Sequence, residues 1–469
     1  MGKVAIIGLD GAVPSLVFER WRDDLPNLSA LVRRGVWGDL RSVHPPITVP
    51  AWAVLFSGKD PGQLGIYGFR NRRSHDYSGY AFASSAMLPR DMLWDEAGRA
   101  GKQSILLGIP PSYPPRPVKG CLVSCFLTPS PDRDYTYPAS LREEIRGVAG
   151  AYSHDVDDFR GGDKAGLLQR IYDKTRRHFA VARHLLRTRP WDLFAMVEMA
   201  VDRLHHAFWR HLDEEHPDHQ PDSPFTHAIR DYYRFLDGEI GELLELIPDE
   251  ATVFVLSDHG ARALHGSFCF NDWLRQQGFL VLRDEAKNPA PLTPDRIDWT
   301  RTRAWGDGGY YGRLFLNVRG REAQGCVDPG DVERVRSDLV AAIEEIPGPD
   351  GSALGCVALR PEDTYRETRG IPPDLMVYFG DLRWRAAGSV GNESLHLRSS
   401  DLEPDDANHD WNGVFMMRPA GADLGGKRLD GLGLLDVSGM LRESLFSTGD
   451  AIDLGGRRAV GAGEGTVGR

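Results

Sequence analysis

Short, continuous apolar runs alternate with longer amphipathic stretches along most of the chain. The runs are rich in valine, isoleucine and leucine, which is typical of strands buried on both faces of a parallel sheet. They predict strands at residues 4–9, 104–109, 122–127, 192–199 and 252–256. The amphipathic stretches predict helices at residues 26–34, 92–100, 141–148, 164–187 and 228–246. Repeated strand–helix units indicate an α/β fold that is doubly wound, with a mainly parallel sheet and helices on both faces.

The alternation is interrupted between residues 271 and 373, where arginine, glycine and proline become more frequent. We interpret this segment as an insertion that forms a small lid or substrate subdomain. The apolar pattern that is typical of the core resumes with runs at 374–379 and 413–417 and with a predicted helix at 434–445. The predicted core therefore comprises residues 1–270 and 374–447, and the glycine-rich residues 448–469 are expected to form a flexible tail.

Composition excludes several classes of protein. The formal net charge of −11 argues against a dedicated nucleic-acid-binding or anionic-membrane surface. Five scattered cysteines without a CxxC pair make a disulfide framework or a thiolate zinc site unexpected. No segment approaches the ~20 apolar residues of a membrane span, and no signal peptide precedes the first strand. We expect a cytoplasmic protein without nucleic-acid or membrane partners; its oligomeric state is not predicted.

Carboxylates and imidazoles follow several of the predicted strands, where ligands bind in open α/β sheets. Asp202 and His206 are four positions apart, so they share one helical face and suit one metal ion, whereas His205 points elsewhere. Each residue alone is also consistent with a helix cap, a surface pair or a hydrogen-bonded turn. Together they predict two divalent cations with nitrogen and oxygen ligands, zinc first and manganese next. The candidate ligands are Asp10, Asp202, His206, Asp258, His259 and His409.

Thr48 lies between a predicted strand at 39–43 and an apolar helical turn that begins at Pro50 and stops at Gly58. A hydroxyl in this position can simply cap the helix. However, backbone N–H groups and the helix dipole at a helix N-terminus also favour an anion. Two cations ~4 Å apart would lower the pKa of such a hydroxyl and stabilise attacking and leaving oxygens together. The combined set therefore indicates phosphoryl transfer.

Several segments follow one another in an order that is specific to one family. Residues 7–11 (IGLDG), 48–52 (TVPAW) and 56–66 are followed by 202–209 (DRLHHAFW), 257–260 (SDHG), and His409 with Gly413. In this order the chain resembles the type I phosphodiesterase/nucleotide pyrophosphatase family of the alkaline phosphatase superfamily. The insertion, with LNVRGR at 316–321, is more similar to the bacterial branch than to the secreted animal enzymes.

This resemblance implies an alkaline-phosphatase-like fold and a division of the ligands. One metal ion would be bound by Asp202, His206 and His409, and the second by Asp10, Asp258, His259 and the Thr48 oxygen. The implied activity is a two-metal-dependent phosphohydrolase that cleaves a phosphodiester or nucleotide pyrophosphate bond through a phosphothreonine intermediate on Thr48. Its substrate would be a small phosphate ester, such as a nucleotide. The sulfatase branch is disfavoured, because the chain has no Cys-x-Pro-x-Arg motif.

One departure from the family pattern concerns the phosphoryl contact. Related diesterases carry an Asn after the nucleophile that contacts a phosphoryl oxygen; here the stretch is LGIYGF at 64–69, and Asn71 lies two positions later. Arginines nearby would instead bind a terminal phosphate dianion and favour a monoesterase. These candidates are Arg70, Arg72, Arg73 and Arg262. Aromatic candidates for the pocket walls are Tyr67, Phe69, Trp305, Tyr310 and Tyr311.

The sequence thus leaves alternatives to the diesterase. A phosphomonoesterase or a phosphonate hydrolase of the same superfamily would use the same metal ligands. A phosphoryl transferase or a non-catalytic metal-binding protein is disfavoured, since all seven predicted metal-site residues are present.

Overall fold

The computed structural model describes residues 2–285, 288–398, 405–447 and 459–460. The predicted tail at 448–469 lies outside the described residues, apart from Ala459–Val460, which form a short strand. In the described part of the chain, no helix is both long and apolar enough to cross a membrane.

A sheet of eleven strands forms the centre of the fold among the described residues. Most neighbouring strands are parallel, which confirms the predicted class, but Asn412–Arg418 runs antiparallel to both of its neighbours. Across the sheet the strands are Ala459–Val460, Lys427–Leu429, Val36–Arg41, Asn412–Arg418, Ala251–Leu256, Lys3–Leu9, Leu193–Glu198, Ser104–Leu107, Gly120–Val123 and Thr136–Tyr137, with Leu432–Gly433 also paired to Val36–Arg41.

Both faces of this sheet are covered, as the apolar runs predict. In Lys3–Leu9, successive side chains enter opposite buried clusters: Ile7 and Leu9 pack on one face, and Val4 and Ile6 on the other. The helices on the first face are Pro26–Arg34, Leu141–Ala149, Lys164–Thr188, Ala200–Phe208 and Ala228–Leu244. Those on the second face are Thr48–Ser57, Leu93–Arg99 and Leu434–Phe446.

The helices predicted from the apolar pattern all form. Pro26–Arg34 has the predicted bounds, because Pro26 suits the first helical position and Gly35 follows the end. Ala228–Leu244 ends two residues earlier than predicted. Short helices at Pro61–Leu64 and Pro361–Thr364 were not predicted; both begin with proline.

The inserted segment has its own antiparallel sheet of four strands, in the order Ala304–Asp307, Gly312–Leu316, Leu375–Tyr378 and Val357–Leu359. Helices Phe270–Gln276 and Val332–Glu344 share its apolar cluster. The assignment of 374–379 to the core was therefore wrong. The apolar run correctly predicted a buried strand, but burial alone does not specify which sheet the strand joins.

Four smaller strand sets connect these layers. Gly260–Ala263 pairs with Ala407–Asp410, and Arg70–Arg72 pairs with Tyr80–Phe82. The others are Trp384–Ala386, Gly266–Phe268 and His396–Leu397 in one set and Ala290–Pro291 with Ser389–Val390 in another.

The helix Thr48–Ser57 begins two residues before the predicted start and is buried throughout. It ends at Gly58, whose φ of +70° lies in the left-handed region that glycine adopts readily. Arg442 donates hydrogen bonds to the carbonyls of Phe56 and Ser57 at 3.2 and 3.0 Å. A cation at these terminal carbonyls also complements the helix dipole. The far C-terminal helix thus secures the end of the helix that presents Thr48.

Replacing Arg442 with methionine should lower the free energy of unfolding by about 1–3 kcal/mol, since the terminal carbonyls lose charged donors. Urea denaturation measures this change. The matched control is Arg187→Met: Arg187 is exposed in the last turn of Lys164–Thr188 and makes no hydrogen bond or ion pair among the described residues. Equal stability of the two variants would contradict a clamp at Arg442.

Candidate active site

Three adjacent strands are followed by carboxylates that lie at one edge of the central sheet. Lys3–Leu9 lies between Ala251–Leu256 and Leu193–Glu198, and all three are parallel. Asp10 directly follows the first strand, and Asp258 comes two residues after the end of the second. Asp202 lies in the first turn of the helix after the third. All three carboxylates are buried. The parallel pairing thus brings together residues that are far apart in the sequence.

The first ligand group consists of Asp202, His206 and His409, whose ligand atoms all lie within 4.8 Å of one another. Asp202 Oδ1 is 3.2 Å from His206 Nε2 and 3.7 Å from His409 Nε2. The i, i+4 spacing accounts for the first pair. His409 joins them because the strand Ala407–Asp410 pairs with Gly260–Ala263, which follows directly after Asp258 and His259.

The second ligand group consists of Asp10, Asp258 and His259, also within 4.8 Å of one another. His259 Nε2 lies 3.6 Å from Asp10 Oδ1 and 3.3 Å from Asp258 Oδ2. The rings of His259 and His409 stack at a centroid distance of 3.7 Å, so the two groups adjoin. This division is the one that the family resemblance implied.

Thr48 faces the second group. Its Oγ1 lies 3.4 Å from Asp10 Oδ1 and 3.3 Å from His259 Nε2. Ile47, not Thr48, occupies the cap position of the helix, and no side chain caps it. Thr48 is therefore the first helical residue, and the helix-cap alternative is wrong.

Neighbouring groups fix the orientation of the three imidazoles. The Nδ1 atoms of His206, His409 and His259 contact acceptor oxygens of Asp405, Pro46 and Gly260 at 2.6, 2.7 and 2.9 Å. In the neutral ring, Nδ1 then carries the hydrogen and Nε2 presents a lone pair toward the carboxylates. This arrangement is usual for histidines that bind metal ions.

Burial shifts the pKa values of several ionisable groups in this cluster. Burial raises the pKa of Asp258 and of Asp10 well above the usual range, and their mutual repulsion adds to the increase for Asp10. Burial also lowers the pKa of His409, which keeps that ring neutral. Asp258 Oδ2 is buried and has no hydrogen-bond partner among the described residues. Carboxylate oxygens and imidazole nitrogens that face one another in this way fit divalent cations.

Two supporting residues were not predicted from the sequence. Trp52 donates its indole N–H to Asp10 Oδ2 at 2.7 Å, and Gly8 leaves room for the indole. Asp405, which holds His206, lies in a segment without strand or helix pattern. Trp52 lies four residues after Thr48 on the same helix. The helical spacing could therefore have placed the two side chains on one face.

The sequence profile described as type I phosphodiesterase / nucleotide pyrophosphatase matches residues 4–411. The chain belongs to this family. Its members hydrolyse phosphorus esters, and the matched region contains every residue of both ligand groups. No curated protein sequence matches the chain.

Solved structures of similar fold cover nearly the whole chain. Human ectonucleotide pyrophosphatase/phosphodiesterase 5 shares 14% identity, with 94% of each chain covered and a TM-score of 0.53. An inactive variant of the murine protein in complex with AMP shares 14% identity over 95% of each chain, with a TM-score of 0.51. Phosphonoacetate hydrolase from Sinorhizobium meliloti 1021, in complex with phosphonoformate, shares 18% identity over 95% and 96% of the two chains, with a TM-score of 0.59. These similarities support the alkaline-phosphatase-like fold of this family member.

Two of the candidates for substrate contact are engaged within the protein. The Asn71 side chain accepts from Tyr67 N at 2.7 Å and donates to Gly68 O at 3.0 Å, which closes its own loop. The buried Arg72 forms an ion pair with Glu322 at 3.5 Å and lies over the rings of Trp305 and Phe315. These contacts connect the loop after the Thr48 helix to the inserted segment.

Other candidates are also held by protein groups. The Tyr67 hydroxyl donates to Arg369 O, and the Tyr311 hydroxyl donates to Tyr67 O. Arg262 is paired with Asp381 and Asp410. His205 contacts the Tyr233 hydroxyl at 3.1 Å, away from the ligand face, as predicted.

Three of the remaining candidates line an open cavity of about 830 Å³ beside the first ligand group. Phe69, Arg70 and Tyr310 line it, whereas Trp305 is buried in the insertion's apolar cluster and Arg73 is exposed outside it. The ring of Tyr310 stacks on His409 at 4.2 Å. The cavity thus lies next to the first ligand group.

Replacing Asp405 with asparagine should weaken binding of one of two zinc ions by about 10–100-fold, because a carboxylate that orients a histidine ligand is lost. Calorimetric titration of zinc into chelator-treated protein measures this. The matched control is Asp406→Asn, since that neighbouring buried carboxylate pairs with Arg210 instead of a candidate ligand. Unchanged affinity for both ions in Asp405→Asn would show that His206 does not depend on Asp405.

Proposed function

We propose that the protein is a two-metal-dependent phosphohydrolase that cleaves a phosphodiester or nucleotide pyrophosphate bond, with Thr48 as the nucleophile. The observation that carries the proposal is the position of Thr48 Oγ1, 3.3 Å from His259 Nε2 and 3.4 Å from Asp10 Oδ1. A hydroxyl that only capped a helix would have no reason to face a buried cluster of carboxylate and imidazole groups.

The donor set supports two divalent cations, with zinc preferred and manganese as an alternative, because every donor is an imidazole nitrogen or an oxygen. Asp202, His206 and His409 would hold one ion. Asp10, Asp258, His259 and Thr48 would hold the other. Bound cations at these positions would lower the pKa of a hydroxyl and neutralise charge on the phosphoryl oxygens.

The residues of the chain then have separate roles. Thr48 Oγ1 attacks phosphorus as the bond to the leaving oxygen breaks, which gives a phosphothreonine; water then cleaves that ester and regenerates the hydroxyl. The N-terminal turn of Thr48–Ser57 offers backbone N–H groups to the phosphoryl oxygens. Trp52 holds the Asp10 carboxylate in place through the indole N–H. The partner is a small-molecule phosphate ester, such as a nucleotide, and the protein acts in the cytoplasm.

A phosphonate hydrolase or a phosphomonoesterase is the second candidate. It is favoured by the internal contacts of Asn71, which leave that amide engaged in its own loop, and by the arginines around the cavity. The structural similarity to a phosphonoacetate hydrolase is consistent with the same candidate. Turnover of bis-p-nitrophenyl phosphate, p-nitrophenyl phosphate and phosphonoacetate by zinc- or manganese-loaded protein distinguishes the three reactions.

Replacing Thr48 with alanine should lower kcat by at least about a thousandfold, since removal of a nucleophile eliminates the covalent route. Thr48→Ser keeps a hydroxyl and should retain measurable turnover. Mass spectrometry of acid-quenched wild-type protein should find a phosphoryl group on the peptide that contains Thr48.

The control for metal-site integrity is zinc binding, which should persist in Thr48→Ala, because three ligands of the second group remain. Near-wild-type hydrolysis by Thr48→Ala would exclude the covalent mechanism. Metal-loaded protein that hydrolyses none of the three substrates would point to a transferase or a binding protein.

A further inference from the structure

Arg203 directly follows the ligand carboxylate Asp202 in the segment DRLHHAFW at 202–209, but it belongs to neither ligand group. Its side chain is buried. Neighbouring residues of a helix do not face each other, so a contact between them requires the longer side chain to turn back. Arg203 does so, and its Nη1 donates to Asp202 Oδ2 at 2.9 Å. A positively charged group thus occupies one oxygen of a candidate metal ligand.

The guanidinium group of Arg203 is held in this position by residues outside its helix. Its Nε and Nη2 donate to the two oxygens of Asp155, both at 2.8 Å. The same group lies over the rings of Phe126 and Phe159, at 5.4 and 4.4 Å. Paired hydrogen bonds fix the plane of a guanidinium group, and aromatic faces attract its charge. The direction of Nη1 toward Asp202 is therefore fixed.

The two oxygens of Asp202 consequently have different surroundings. Oδ1 faces the ligand nitrogens, 3.2 Å from His206 Nε2 and 3.7 Å from His409 Nε2. Oδ2 instead accepts the hydrogen bond from Arg203. A metal ion that bound both oxygens would displace this hydrogen bond and lie close to the guanidinium group, and like charges repel. Arg203 therefore opposes the binding of one ion through both oxygens of Asp202.

The carboxylates of the second ligand group are supported by neutral donors. Asp10 Oδ2 accepts from the Trp52 indole at 2.7 Å, and Asp258 Oδ1 accepts from the Gly11 backbone N–H at 3.3 Å. In the part of the chain that the structure describes, the ion-pair partner of both carboxylates is His259, and neither carboxylate pairs with a lysine or an arginine. The contact with a guanidinium group distinguishes Asp202 from the other two ligand carboxylates.

Other arginines near the first ligand group act at one remove. Asp405 contacts His206 Nδ1 through Oδ1 at 2.6 Å, and its Oδ2 contacts Arg160 and Arg385 at 3.1 and 3.5 Å. In that chain of contacts Asp405 lies between the arginines and the ligand, whereas Arg203 contacts a ligand directly. The direct contact is what lets Arg203 discriminate between two oxygens of one carboxylate.

A catalytic zinc site has three protein ligands and keeps a further position for water or substrate. Two imidazole nitrogens and Oδ1 of Asp202 make three such ligands, whereas Oδ2 would occupy the further position. We propose that Arg203, anchored by Asp155, is a positioning residue that restricts Asp202 to one metal-binding oxygen and so keeps a position open at the first ligand group. The assignment rests on the proposed function, because it takes this group to hold a divalent ion.

Cobalt(II) in place of zinc tests this inference by spectroscopy, because its visible absorption weakens as its coordination number rises. Chelator-treated wild-type protein and Arg203→Met would be compared with two cobalt ions bound. Methionine has a long side chain without charge or donor, so Oδ2 becomes available to the ion. We expect a loss of visible absorption per bound cobalt in Arg203→Met, confined to one of the two ions.

The matched control is Arg210→Met. Arg210 lies seven residues further along the same segment and donates to Asp406 Oδ1 at 2.7 Å, and Asp406 belongs to neither ligand group. This variant also removes an arginine from a buried carboxylate, but it should keep the wild-type cobalt spectrum.

A crystal structure of the zinc-loaded wild-type protein tests the same inference without any substitution, and it decides alone if Arg203→Met does not fold. We expect Asp202 Oδ1 at about 2.0–2.2 Å from one ion. Oδ2 should remain hydrogen-bonded to Arg203. Both oxygens at bonding distance from one ion would overturn the inference.

An unchanged cobalt spectrum in Arg203→Met with two ions bound would also overturn it, as would a first ligand group that binds no ion in the wild type. These failures are distinguishable from failure of the proposed function. If the protein hydrolyses bis-p-nitrophenyl phosphate while both Asp202 oxygens bind one ion, only the role of Arg203 is lost. If the expected spectrum and structure occur in a protein that hydrolyses none of the three substrates, only the catalytic proposal is contradicted.

Discussion

The structure depends on the concentration of acidic and imidazole groups inside the protein, at one edge of a parallel sheet. Three buried carboxylates converge with three histidines, and burial opposes the charged form of each carboxylate. Such a cluster is costly without cations, since transfer of charge from water into a protein interior is unfavourable. The surrounding structure nevertheless holds Asp10 and the three histidines in place through Trp52, Asp405 and backbone carbonyls. The protein thus arranges these groups as a cage, and a cation bound there would couple its binding to the stability of the fold.

The inserted segment is part of this cage as well as a wall of the cavity. The Tyr365 hydroxyl donates to His44 O at 2.6 Å, and Tyr311 donates to Tyr67 O. These tyrosines therefore secure the turn before Thr48 and the loop after its helix. Arg72 and Glu322 connect the same loop to the insertion from the other side. A movement of the insertion would therefore displace the turn before Thr48 and the loop after its helix. The inserted segment is thus not independent of the core.

Sequence patterns predicted that these carboxylates and imidazoles converge, because most of them lie at the end of an apolar run or at helical spacing. Asp202 and His206 were paired by their i, i+4 separation, and Asp10 and Asp258 by strand ends that meet at one edge of a sheet. Leu375–Tyr378 was misassigned, because an apolar run carries no information about its partner strand. Asp405 and the arginines Arg160 and Arg385 were missed for a related reason. They lie in irregular segments or an unpredicted strand, and their proximity is set by tertiary packing alone.

The pairing of Ala407–Asp410 with Gly260–Ala263 has a consequence for how the protein is made. Asp10, Thr48, Asp258 and His259 all precede the insertion in the sequence, so they are synthesised before it. The first group waits for His409, and the clamp on the Thr48 helix waits for Arg442. The residues of the second ligand group are therefore all present in the chain before the insertion, whereas the first group still lacks His409, which lies on the strand that follows the insertion. Both ligand groups are thus complete only after the chain on the far side of the insertion has been added.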